Sequence, residues 1–141
     1  MQLVPYLNFD GQCREAFDFY AKALGASITA QMTYGQAPAE MRAQMPPETL
    51  GRIMHTQLES NGALLMGADG PPSHGSQGGG TTLNVMVDSI EDAERIFAAL
   101  AEGGEIRMPI EETFWAQRWG MLVDRYGKPW MVNCMKQPTA G

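Results

Sequence analysis

Two stretches of the chain carry the same apolar rhythm. Cys13, Ala16, Phe17, Tyr20 and Leu24 recur at intervals of three or four residues, and so do Ile90, Ala93, Ile96, Phe97 and Leu100. That spacing lines one face of an α-helix, so each stretch is predicted to be an amphipathic helix. Gly25 and Gly103-Gly104 stand where the helices would stop, and Ser89 with Asp92 three residues on suits an N-terminus. A short apolar strand precedes each helix, "YLNF" at 6–9 and "TLNV" at 82–85. After each helix the period shortens to that of strands, over roughly 26–33, 52–59 and 62–67, then roughly 104–110, 118–124 and 128–134. The turns "ESNGA" and "DRYGK" put glycine where a hairpin needs positive φ.

Each half therefore reads βαβββ, an α+β class. The first module runs over about 1–69 and the second over about 81–135, with a tail at 136–141. Between them, "GPPSHGSQGGG" at 70–80 has the Gly, Pro and Ser content of a flexible connector. The first half also holds extra residues at 34–51, read as a loop with a short helix around 39–45, either a surface excursion or a lid. One helix covers only one face of a sheet. Two such sheets side by side predict a curved, mixed-sheet cup with helices outside and a cavity within.

Composition narrows the partners. The 141 residues are 44% hydrophobic and 18% charged, ordinary for a globular domain. A formal net charge of −6 and a pI near 4.8 argue against nucleic acid, which needs clustered Lys and Arg. No apolar run approaches a membrane span, and the N-terminal "MQLVPYLNF" lacks the charged and apolar regions of a signal peptide. The two cysteines, Cys13 and Cys134, form no metal or redox motif, so a cytoplasmic location is expected.

Three segments, "PYLNFDGQCREAFDFYAKALGA", "IMHTQLESNGALLMGAD" and "WGMLVDRYGKPWMVN", together resemble the PhnB-like branch of the vicinal oxygen chelate superfamily. That superfamily includes glyoxalase I, fosfomycin-resistance enzymes, extradiol dioxygenases and bleomycin-resistance proteins, and the branch is often labelled 3-demethylubiquinone methyltransferase. The resemblance covers nearly the whole chain apart from the connector and the insertion. It implies one vicinal-oxygen-chelate domain over 1–141, a glyoxalase/bleomycin-resistance/dihydroxybiphenyl dioxygenase-like cup, and a homodimer.

In metal-using relatives, side chains near the centres of the first and last strands of each module hold the ion. Matching the two halves puts Asn8 or a neighbour, Met66, Asn84 and Met131 at those positions. Alternation sends Leu83, Val85 and Val87 toward the helix and Thr82, Asn84 and Met86 the other way. Thioethers are poor ligands for zinc, magnesium or manganese, and amides are weak ones. The expected site is thus an adaptable apolar floor with amides for hydrogen bonding, and no cofactor is predicted.

Other residues complete the candidates. His55 alternates with Gln57 and Glu59; it is either a ligand or base, with Glu59 as companion, or a histidine hydrogen-bonded within the sheet. Trp115 and Trp119 would wall a cavity or pack, while Trp130 belongs to the core. Arg107, Arg118 and Arg125 read mainly as surface charges, and His74 as a solvated connector residue. "SQGGG" lacks the spacing of a phosphate loop, no strand–glycine-turn–helix unit supports the methyltransferase label, and no nucleophile motif marks a hydrolase. Three classes remain: a metal-independent small-molecule-binding protein, a lyase, isomerase or dioxygenase using a divalent metal at His55, and a regulatory dimer without a ligand.

Overall fold

The computed structural model describes residue 2 and residues 4–70 and 81–136. His74, the "SQGGG" run and the tail beyond 136 lie outside the described residues. The chain forms two compact units, Met1–Gln77 and Gly78–Gly141.

In the first unit the elements are β1 (Tyr6–Phe9), α1 (Cys13–Leu24), β2 (Ser27–Thr33), α2 (Ala39–Arg42), β3 (Ile53–Ser60) and β4 (Ala63–Asp69). The sheet order is β1-β4-β3-β2, with β1 parallel to β4 and the other neighbours antiparallel. The apolar stripe of α1 buries Cys13, Ala16, Phe17 and Tyr20 against one sheet face, where Phe9 and Tyr20 pack around Phe17. The helix ends at Gly25, whose φ of 65° lets its N–H reach the Ala21 carbonyl. Gly67 on β4 is the seat of the Phe17 ring: a Cβ there would lie 2.6 Å from Phe17 Cε1.

The start of α1 has no side-chain cap of its own. Buried Asp69, the last residue of β4, supplies it instead. Its carboxylate accepts from the N–H groups of Gly11 (2.8 Å) and Cys13 (3.0 Å) with one oxygen, and from that of Ile53 (2.9 Å) with the other. Negative charge at a helix N-terminus is doubly suited, satisfying orphan donors and opposing the helix dipole.

The 34–51 segment is more tied down than a free excursion. Its ends are stitched together by Tyr34 N–H donating to Arg52 O (3.0 Å) and Gly35 N–H to Leu50 O (2.8 Å). The expected helix is the single turn α2, flanked by 3₁₀ turns at Tyr34–Gln36 and Pro47–Thr49. It stops well before 45, and Pro46-Pro47 then deny further helical N–H donors.

The second unit repeats the plan with β5 (Leu83–Met86), α3 (Ile90–Ala101), β6 (Glu105–Glu111), β7 (Ala116–Val123) and β8 (Pro129–Met135), in the order β5-β8-β7-β6. Here α3 has a local cap: Asp92 N–H donates to Ser89 Oγ at 3.1 Å. Ala93, Ile96, Phe97 and Leu100 form its buried stripe. The ring seat is Gly120 on β7, where a Cβ would lie 2.7 Å from Phe97 Cε2. Trp130 is core, as expected, and its indole N–H donates to buried Asp124 at 2.8 Å. The chain therefore has the α+β architecture predicted, two four-stranded mixed sheets each backed by a helix.

Candidate functional site

Directly opposed residues in a sheet project to the same side, and neighbours along a strand alternate. With the helices assigned to one side by Gly67 and Gly120, register identifies what each sheet presents on the other.

In the first unit that open face carries Tyr6, Met66 and Gln57 in one row, since Tyr6 opposes Met66 and Met66 opposes Gln57. Asn8 shares the face but opposes Ala68, one pair farther along. The residue beside Met66 is therefore Tyr6, two positions from the one the sequence match favoured. Tyr6 Oη lies 3.3 Å from His55 Nδ1 across β4. Burial, then the nearby Cys13 and Tyr34, hold the Tyr6 phenol above its ordinary range. It stays protonated at neutral pH, and which partner donates in the Tyr6–His55 contact is set by the imidazole tautomer.

A step in the β2–β3 register falls where His55 opposes Met32 while Ile53 opposes Thr33. His55 lies two residues from Gln57 in unbroken register and so shares the open face, while the step beyond it leaves Ile53 buried. Glu59 opposes Ser27 and Leu64. Four residues of strand put it about 13 Å from His55, beyond sharing one ion.

In the second unit Asn84 opposes Met131, and Met131 opposes Met121, which in turn opposes Met108. The adjacent row runs Met86, Asn133, Trp119 and Glu111. Four methionines and a tryptophan thus line one sheet face, with Met86 63% and Met108 47% exposed. Trp115 extends it, its ring 5.6 Å from that of Trp119 and 4.8 Å from that of Phe114, both edge to face. The loop bearing these rings is fixed by Thr113 Oγ1, which accepts from Ala116 N–H at 3.0 Å. Arg118 is on the helix side, paired with Glu94 at 3.0 Å, and Arg107 and Arg125 lie beside Glu105 and Glu102.

Asn133 was not singled out from sequence, and neither were Tyr6, Met108 or Met121. It is 92% buried by the complement of its 8% exposure, and among the described residues its Oδ1 has no donor. The available signal was alternation: Asn133 is two residues past Met131 and must share its face.

The two opposed pairs, Tyr6 with Met66 and Asn84 with Met131, hold a phenol, two thioethers and an amide. That donor set does not fit a divalent Lewis acid. Among the described residues no three His, Cys, Asp or Glu side chains come together in a metal-binding group.

A βαβββ pair with open faces of this kind defines a class, and sequence comparison agrees. The profile of the Glyoxalase/Bleomycin resistance protein/Dioxygenase superfamily matches residues 2–132, and the chain belongs to that superfamily. It is 36% identical to protein YjdN of Escherichia coli over 99% of both chains. The crystal structure of protein PA1353 from Pseudomonas aeruginosa is 42% identical, with a TM-score of 0.86 over 97% of this chain and 99% of that one. The fold recurs at 23% identity in a Bacillus cereus PhnB protein described as a putative 3-demethylubiquinone-9 3-methyltransferase (TM-score 0.74, 95% and 99% covered). It recurs at 20% in TnmS3, an antibiotic binding protein from Streptomyces (TM-score 0.56, 96% and 98% covered). The superfamily and the glyoxalase-type fold read from sequence are thus both met, and the solved structures that share the fold include a PhnB protein.

Proposed function

We propose that this chain is a metal-independent small-molecule-binding protein whose ligand seats on an open, methionine-lined sheet face. The observation that carries the reading is the second unit's face. Met86, Met108, Met121 and Met131 share that face with the amides of Asn84 and Asn133, with Trp119 and Trp115 at one end. Flexible, polarizable thioethers mould to irregular apolar ligands, and exposed indoles supply flat contact area. TnmS3 supports the class of activity, as a protein of this fold described as binding an antibiotic. A homodimer fits the unpaired outer edges of β1, β2, β5 and β6. A reducing cytoplasm fits two buried, unbridged cysteines.

The test pairs metal analysis with ligand titration. Protein purified without nickel, and its His55→Ala variant, should carry no stoichiometric transition metal, and flat apolar compounds should quench tryptophan emission saturably. A stoichiometric metal lost in His55→Ala would overturn the proposal in favour of a metal-dependent lyase, isomerase or dioxygenase.

A further inference from the structure

The second unit's open face holds one polar group that its surroundings do not explain. Asn133 sits in mid-row, opposed by Met86 on one side and Trp119 on the other. Neither side chain can donate to a carbonyl except through the single indole N–H of Trp119, and Asn133 Oδ1 has no donor among the described residues. A buried acceptor left unpaired destabilises the fold that contains it, so its presence calls for a partner that arrives from outside the chain. Beside it lie the edge-to-face rings of Trp119, Trp115 and Phe114, the last 89% exposed. Glu111 opposes Trp119 and places an exposed carboxylate at the end of the row.

We infer that Asn133 is the specificity-determining residue of this face: its Oδ1 accepts a hydrogen bond from a flat aromatic ligand, uncharged or cationic, that bears an N–H or O–H donor. The inference rests on the binding function proposed above and names the ligand class. The thioethers of Met121 and Met131 and the aromatic rings supply shape-tolerant contact. The amide supplies selection, because a ligand without a donor would seal the acceptor away unpaired. Glu111 disfavours anions at the same edge.

Two cationic acridine dyes separate the terms. Proflavine has free amino N–H groups; in acridine orange those nitrogens are fully methylated. Dissociation constants would be measured by dye anisotropy for the wild type, Asn133→Leu and Met121→Lys. Asn133→Leu keeps the size of the side chain and removes the acceptor. It should weaken proflavine about tenfold, leave acridine orange within about twofold, and melt at or above the wild-type temperature. Equal effects on both dyes, or none on either, would overturn the role of Asn133 while leaving the binding face intact. Met121→Lys, which removes the thioether and repels the dyes' positive charge, should weaken both; if neither is weakened, or neither binds the wild type, the binding reading itself fails along with the inference.

Discussion

A single added methyl group tests how the first unit is packed. In Gly67→Ala the new Cβ would lie 2.6 Å from Phe17 Cε1, 2.9 Å from Cζ and 3.0 Å from the Leu7 carbonyl oxygen. Carbon atoms in ordinary contact sit about 3.5–4.0 Å apart, so the ring must retreat by about 1 Å. It has little room to do so, because Phe17 is fully buried and wedged against Phe9 and Tyr20. Overpacking of this kind costs about 1–3 kcal/mol, offset by about 0.4–1 kcal/mol from a less flexible unfolded chain. The net loss of about 1–2 kcal/mol should lower the melting temperature by about 3–7 °C for a chain of this size, measured by calorimetry or circular dichroism. Phe17→Leu removes the clashing ring atoms. The double variant should therefore be more stable than the two single effects predict, by about 1 kcal/mol. Strict additivity, or an unchanged melting point for Gly67→Ala, would refute the account of Gly67 as a ring seat.

Asp124 offers a second test of packing, and Asp92 a test of pH dependence. Buried Asp124 accepts from the N–H groups of Tyr126 and Lys128 with one oxygen and from the Trp130 indole with the other. Asp124→Ala should cost about 2–4 kcal/mol in urea unfolding and shift the emission of Trp130, whereas unchanged stability would show that the carboxylate is dispensable. Hydrogen bonds from Arg95, then Ser89, hold the Asp92 carboxyl below its ordinary value. A depressed folded-state pKa contributes stability above the unfolded value, near 4, and loses it as pH falls through the folded one. The stability difference between wild type and Asp92→Asn should accordingly shrink on acidification through that window. A difference constant with pH would exclude the linkage.

The repeat made the architecture legible. Two helices with matching stripes, two glycine-bearing turns and two short leading strands sufficed for βαβββ twice, because each signal is local and periodic. Register was less accessible. "YLN" and "TLN" look alike, yet the chain sets Tyr6, not Asn8, beside Met66, and a two-residue slip leaves the same face outward, so hydrophobic patterning cannot detect it. Alternation places His55 correctly with Gln57, but the bulge just before it buries Ile53 against the pattern on which strand reading depends. Asn133 was the hardest to find: its significance lies in a missing partner, which is a property of three strands together and of no segment alone.

The carboxylate of Asp69 joins the entry to α1, the first residue of β3 and the end of β4. Its consequence falls on synthesis. A chain emerging from the ribosome displays the stripe of α1 some fifty residues before the acid that finishes that helix's first turn appears. Until then the growing first unit has its helix and hairpin but not the clasp between them. The last residue of its last strand thus supplies the contact that completes the first unit's clasp.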